Sequence, residues 1–97
     1  MALLHVAWFR FKPDVDPSRI NHHLAACRTL KGKVPVVLDL QCGANLSDRS
    51  GGFTHGIVVT LPDHGALPAY LDHPAHVPVA TALVADVAEL RVMDLQV

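Results

Sequence analysis

The first predicted strand, residues 3–11 (Leu-Leu-His-Val-Ala-Trp-Phe-Arg-Phe), is largely apolar on both of its faces. Side chains alternate between the two faces of a strand, so His5 and Phe9 share one face, and Val6 and Trp8 share the other. A strand of this kind has to be covered on both sides. Helices of the same chain can cover one side, and the second cover has to come from elsewhere.

Turn and capping signals divide the rest of the chain into six further elements, of which the last two helices form one helical region interrupted at His73-Pro74. Asp16 is a typical N-cap and Pro17 suits the first helical position, so a helix begins there, and Gly32 is expected to end it. The remaining predicted elements are a strand over 34–41, a strand over 53–61, a short helix from residue 64 or 65 to about 71, a helix from Pro74 to about Val87 and a strand over 89–97.

The order β-α-β-β-α-β is the ferredoxin-like plan of the α+β class. It predicts an antiparallel sheet with strand order 4-1-3-2 and both helices on one face. The opposite face, with Val6, Trp8 and Val58, is left open. A length of 97 residues without linker or repeat predicts one domain over residues 1–97.

The open face also accounts for the composition. Hydrophobic residues make up 51% of a chain that is short for burying a large core. No apolar segment approaches the roughly 20 residues of a membrane span, and the N-terminus lacks the features of a signal peptide. We therefore expect no membrane partner, a cytoplasmic location, and a homodimer in which two sheets pack face to face into a barrel.

Charge and cysteine content exclude several classes of function. The net charge is −1 and like charges do not cluster, so the sequence predicts no nucleic-acid partner. Cys27 and Cys42 lack the spacing of a metal or redox motif, and we expect both to be reduced and buried.

These segments together resemble the stress-responsive α/β barrel (Dabb) family. The matching residues are Leu4-His5-Val6 with Phe9, Phe11 and Lys12, then Gly43, Asn45 and Ser47, then Phe53-Thr54-His55, and finally Tyr70 with His73-Pro74 and His76. The resemblance implies ferredoxin-like subunits that dimerise into a barrel. The family is functionally mixed, and includes stress-induced proteins and cofactor-free cyclases that act on linear polyketides.

The resemblance also implies roles for individual residues. The histidine-tyrosine pair in the pocket of the cyclase-like members falls on His76 and Tyr70, and strand histidines fall on His5 and His55. Two positions depart from that pattern. Phe53 replaces a frequent tyrosine, and Cys27 stands where those members carry a larger polar aromatic residue. Ala7 and Ala80 make the expected pocket floor small, so the shape of the ligand need not carry over.

The segment from Tyr70 to His76 is the predicted site. A histidine can remove a proton next to a carbonyl, and a tyrosine hydroxyl can donate to the enolate oxygen that develops. Six residues apart on one straight helix, the two side chains would point some 120° apart. The break at His73-Pro74 is therefore required for both to face one pocket, with His73 as the N-cap of the second segment. In the alternative interpretation His76 bonds to a loop and Tyr70 is part of the core.

A buried His5 needs a hydrogen-bond partner, which could be His76, a backbone carbonyl or a ligand. A register that pairs His5 with Val59 and Phe9 with His55 separates the two histidines by roughly 13 Å, too far for one metal ion. We predict no metal, and expect His22, His23 and His64 to face solvent. The predicted catalytic residues are His76, Tyr70 and His5, and the predicted ligand contacts are Ala7, Phe9, His55, Ile57, Val79 and Leu83.

The hypothesis is a cofactor-free acid–base activity on a small carbonyl-bearing, aromatic or polyketide-like metabolite. The first alternative is a non-enzymatic, stress-associated homodimer with a filled interior, in which His5 and His76 bond to the protein itself. The second is a regulatory or accessory domain that binds a small ligand. An open pocket beside His76 favours the first hypothesis over the filled interior.

Overall fold

The computed structural model describes all residues from Met1 to Val97 and has the predicted order of elements. They are β1 (Leu3–Phe11), α1 (Pro17–Lys33), β2 (Asp39–Ala44), β3 (His55–Leu61), a 3₁₀ turn (His64–Ala66) that leads into α2 (Leu67–Leu71), α3 (His76–Asp86) and β4 (Val87–Gln96). The strands form one antiparallel sheet in the order β2-β3-β1-β4. The ferredoxin-like fold and its strand order are therefore confirmed.

The register between the two central strands is also as predicted. His5 pairs with Val59, and Phe9 pairs with His55. On the other side of β1, His5 pairs with Asp94 of the edge strand β4. Residues that pair across a sheet point to the same face, so His5, Val59 and Asp94 all lie on the face that the helices cover.

Helix α1 begins as predicted and ends one residue later than predicted. The Asp16 carboxylate accepts a hydrogen bond of 2.8 Å from the Arg19 backbone N–H, which is the expected N-cap geometry. Gly32 lies inside the helix, and Lys33 is its last residue. Val34 follows in an extended conformation with its side chain fully buried, and its N–H donates to the Leu30 carbonyl. Burial of Val34 thus fixes the end of the helix.

Strand β2 starts five residues later than predicted, at Asp39 rather than Val34. Pro35 has no N–H to give to a strand ladder, and the Val37 N–H instead donates to the Val34 carbonyl at 3.0 Å. This turn buries Val34 and Val37 together, which a strand could not do for residues three apart. The strand then continues through Gly43 and Ala44, which the sequence assigned to a loop.

The ends of two other strands differ from the prediction. Strand β3 begins at His55 rather than Phe53, so Phe53 lies outside the strand alternation, and its ring packs edge-to-face against Trp8. Strand β4 begins two residues early, at Val87, which pairs with Phe11.

The core lies between the sheet and the helices. Its fully buried side chains are Phe9, Leu30, Val34, Val59 and Leu61. No helix combines the length and apolar content that spanning a membrane requires.

The other face of the sheet carries Leu4, Val6, Trp8, Val58, Met93 and Leu95, which the registers place on one side. We call this set the open face. Val58, Met93 and Leu95 are 38%, 48% and 40% exposed, so no element of the chain covers it.

Candidate active site

A cavity of about 370 Å³ lies between the helix-covered face of the sheet and the three helices. Thirteen of its sixteen lining residues are hydrophobic, and the other three are His5, His76 and Asp94. Seven of the residues predicted to form the pocket line this cavity, namely His5, Ala7, Ile57, Tyr70, His76, Val79 and Leu83. Cys27 and Ala80 also belong to the wall. The volume falls at the lower end of the range for small-molecule sites.

The break after α2 brings Tyr70 and His76 together. The His73 carbonyl accepts hydrogen bonds from the N–H groups of His76 and Val77, and His73 Nδ1 accepts one of 3.0 Å from Ala75 N–H. His73 therefore caps the turn that leads into α3. It is not the predicted N-cap of the helix, because α3 begins at His76, two residues after Pro74, and its N-cap is Ala75. The rings of Tyr70 and His76 lie 4.4 Å apart between centroids, tilted by 52°. Two side chains that one straight helix would separate share a single cavity.

His76 is held with one particular nitrogen free. Its Nδ1 lies 2.9 Å from the Leu71 carbonyl oxygen, which can only accept, so Nδ1–H is the donor. The neutral ring then carries its lone pair on Nε2. Burial lowers the pKa of His76 below the ordinary histidine value, and the bond to Leu71 opposes this only in part. His76 is therefore neutral near pH 7 and able to accept a proton.

The Tyr70 side chain is buried, yet its hydroxyl oxygen is not fully enclosed by the protein. Only 2% of the residue is exposed, and it lines the cavity wall. The hydroxyl makes no hydrogen bond to the protein, while the chain leaves no fully enclosed polar side-chain atom without a partner. The hydroxyl oxygen is therefore not fully enclosed, and the cavity is the space that the Tyr70 side chain lines. Burial also raises the pKa of Tyr70, so the group remains a hydrogen-bond donor over a wide pH range.

His5 completes the polar end of the cavity with a partner that the sequence analysis missed. Its Nδ1 lies 2.6 Å from Oδ1 of Asp94, and its ring meets that of Tyr70 edge-to-face at 5.7 Å. The expected partners were His76, a backbone carbonyl or a ligand, and that expectation is wrong. Asp94 stands directly opposite His5 in the β1–β4 pairing, so the register of the edge strand is the signal that would have found it.

Phe9 and His55 do not line this cavity, contrary to the prediction. Phe9 is fully buried, and His55 stacks on it at 6.3 Å and meets Phe11 edge-to-face at 5.3 Å. His55 borders a separate cleft of about 680 Å³ beside Trp8 and Arg49. Burial lowers the pKa of His55 as well. Its contacts are those of a structural aromatic cluster.

His23, predicted to face solvent, is buried. Its ring stacks on Phe11 at 5.8 Å, and Nε2 lies 2.6 Å from Oδ2 of Asp86. Arg19 donates to the other oxygen of the same carboxylate. The pKa of Asp86 is lowered, and the hydrogen bond from His23 is the largest cause. In α1, His23 lies one residue before Leu24 and four before Cys27, so it belongs to the buried face of the helix. This buried face is wider than the apolar residues alone predict.

His22 and His64 are exposed as predicted. Cys27 is buried and Cys42 is partly buried, and both are free thiols. Burial raises the pKa of Cys27 to about 11, so this thiol is not a nucleophile near neutral pH. No three histidine, cysteine, aspartate or glutamate side chains lie close enough together to hold a metal ion.

Fold and site together define a class: an α+β ferredoxin-like domain with one open sheet face and an apolar cavity whose polar end carries a tyrosine between two histidines. Residues 3–97 match the Stress responsive A/B Barrel Domain (Dabb) family. The chain belongs to this family.

Three relatives illustrate its range. An uncharacterised protein of Streptomyces coelicolor is 32% identical over 74 residues, which are 74% of this chain and 76% of the relative. The olivetolic acid cyclase of Cannabis sativa is 25% identical over 79 residues, which are 79% of this chain and 78% of the relative. The crystal structure of a dimeric ferredoxin-like protein of unknown function from Jannaschia sp. CCS1 superposes with a TM-score of 0.87 at 26% identity and full coverage of both chains.

Proposed function

We propose that this protein is a cofactor-free acid–base catalyst that acts on a small, apolar carbonyl compound. One observation carries the proposal. A buried tyrosine whose hydroxyl has no protein partner lines an apolar cavity, beside a histidine ring whose neutral form keeps its lone pair on Nε2. A hydrogen-bond donor next to a base is what abstraction of a proton α to a carbonyl requires.

The proposed step moves one proton and one electron pair. The Cα–H bond of the ligand breaks, the proton passes to Nε2 of His76, and the electron pair moves onto the carbonyl oxygen. The Tyr70 O–H donates to this oxygen as its negative charge develops. The enolate carbon can then attack a second carbonyl in the same molecule, or take the proton back. His5, held by Asp94 and touching Tyr70, is the third polar group at this end.

The open cavity supports a ligand-dependent role over the alternative of a filled interior. His5 and His76 do bond to the protein, as that alternative predicted, but each uses only Nδ1 for its bond. The name of the Cannabis sativa relative, a cyclase, is in keeping with ring closure through an enolate.

Deuterium exchange tests the proposal without knowledge of the natural substrate. Phenylacetone carries protons α to its carbonyl, and NMR in D₂O measures their replacement. We expect the wild-type chain to accelerate the exchange, His76→Ala to lose at least about 100-fold, and Tyr70→Phe, which removes only the hydroxyl, to lose about 10- to 1,000-fold. His64→Ala is the matched control, because this histidine is exposed. Equal exchange by all four proteins would overturn the assignment.

We also propose that the open face joins two copies of the chain into a dimeric barrel. Six apolar side chains lie together on it, and three of them are more than one-third exposed. An apolar patch of this kind on a small domain is typical of an interaction surface. The Jannaschia relative, with the same fold, is dimeric.

A further inference from the structure

The cavity wall contains no permanently cationic side chain. Its three residues that are not hydrophobic are His5, His76 and Asp94, and neither lysine nor arginine lines it. A charged ligand loses its hydration when it enters an apolar cavity, and only an opposite charge or several hydrogen-bond donors can replace that hydration. The side chains therefore offer an anion little compensation.

The N-terminus of α3 does not supply the missing donors. Such a terminus is an anion site when its first N–H groups are free. Here the N–H groups of Ala75, His76 and Val77 all donate to His73, and Pro78 has none. His73 and Pro78 thus leave this helix terminus without a donor for a ligand in its first turn.

Asp94 adds a carboxylate to the same wall. It lines the cavity with its side chain 32% exposed, and it bonds to His5. With His5 neutral, the pair carries one negative charge, and with His5 protonated it carries none. Neither state attracts a carboxylate, and the first repels one.

We propose that the cavity takes an uncharged carbonyl compound and excludes the corresponding carboxylate, and that Asp94 sets this preference. The inference rests on the proposed function, which places the ligand carbonyl at Tyr70 and His76. It narrows the substrate class to neutral ketones, aldehydes or esters, and it makes Asp94 a specificity-determining residue.

Phenylacetone and phenylacetate are a matched pair of probes, because the second replaces the methyl ketone of the first by a carboxylate of similar shape. Titration of the full chain with each, followed by NMR shifts of the cavity residues, measures binding without turnover. We expect phenylacetone to bind at least about 30-fold more tightly than phenylacetate at pH 7. Asp94→Asn should reduce this ratio at least about tenfold by strengthening phenylacetate binding.

Two further variants separate charge from structure. Asp48→Asn removes the same charge from an exposed loop and should leave the ratio unchanged. His5→Gln leaves the Asp94 carboxylate in place and should preserve or increase the preference for phenylacetone. If Asp94→Asn and His5→Gln lower the ratio alike, the disturbed pair and not the charge is responsible, and the role given to Asp94 is wrong.

Equal binding of the two probes to the wild-type chain, or no binding of phenylacetone, would overturn the inference. The binding measurement and the deuterium-exchange measurement test the two proposals separately. Selective binding without accelerated exchange would contradict the catalytic proposal alone, whereas exchange without selection would contradict the role of Asp94 alone.

Discussion

Burial acts on Tyr70 and His76 in opposite ways that suit one reaction. Burial disfavours the charged form of each group, so the pKa of His76 falls and that of Tyr70 rises. Both groups therefore stay neutral, so that His76 can accept a proton and Tyr70 can donate a hydrogen bond. Between the two pKa values both groups are in the state that the proposed step uses.

The sign of this effect gives a pH profile. His76 must be neutral to accept a proton, so exchange should rise with pH through a midpoint below about 6.5, the ordinary histidine value. Tyr70 must keep its proton, so the plateau should extend to about pH 10 or beyond. Phenylacetone exchange measured from pH 4 to 10, after subtraction of the rate without protein, tests both limbs. An acid limb centred above 6.5 would contradict the state assigned to His76.

Single residues also mark how far sequence reasoning reaches. The presence of Tyr70, His76 and His5 in the cavity wall could be predicted, because each is a polar residue within an apolar stretch. Asp94 could not, because its contact with His5 depends on the pairing of a fourth strand whose start was misplaced by two residues. The burial of His23 could not be predicted, because a polar residue beside an apolar helical stripe is assigned to solvent unless its partner is known. That partner is Asp86, which lies 63 residues away in the chain.

At the scale of elements, the bend between α2 and α3 builds the site. His73 binds three backbone N–H groups with its ring and carbonyl, and so fixes the direction in which α3 leaves. Strand alternation, capping and proline signals predicted this bend and the sheet order. They failed at β2, where the burial of Val34 and Val37 on a turn, a tertiary effect, outweighs local strand preference.

Removal of the His73 ring tests the bend. The ring accepts the Ala75 N–H, so His73→Ala should lower the free energy of unfolding by about 1 kcal/mol, as loss of a helix cap does. It should also slow phenylacetone exchange, because His76 loses its fixed position beside Tyr70. Urea unfolding and exchange are measured on the variant and on His64→Ala. Exchange equal to that of the wild type would show that the cap does not position His76.

The contact of His23 with Asp86 joins the first half of α1 to the end of α3. His23 is buried against Phe11, so His23→Ala removes a packed ring and a hydrogen bond. We expect a loss of about 1–3 kcal/mol in the free energy of unfolding. His22→Ala, its exposed neighbour, should change stability by less than about 0.5 kcal/mol. Similar losses in the two variants would contradict the buried role of His23.

At the scale of the whole molecule, one face of the sheet lines the cavity and the opposite face is the open face. Along β4, Val92 and Asp94 point into the cavity, while Met93 and Leu95 belong to the open face. Packing of two open faces would therefore also support the strand that holds Asp94. The high hydrophobic content of the chain predicted such a surface, and strand alternation predicted which residues form it.

A charge on the open face should prevent assembly. Trp8→Glu or Val58→Glu places an unpaired carboxylate in the proposed interface, at a cost of several kcal/mol, and should give a monomer in sedimentation velocity. Leu46→Glu is the matched control, because Leu46 is 97% exposed and lies in the loop between β2 and β3. A dimer that persists in both open-face variants would mean that the copies meet elsewhere.

The proposed reaction requires a ligand carbonyl that accepts a hydrogen bond from the Tyr70 hydroxyl, and a comparison of two NMR spectra tests this contact directly. Phenylacetone labelled with ¹³C at its carbonyl is bound to the wild-type chain and to Tyr70→Phe, and the carbonyl shift is compared. A hydrogen bond polarises the carbonyl, so we predict a resonance further downfield in the wild type. Identical shifts in the two proteins, with the ligand bound to both, would contradict the proposed contact.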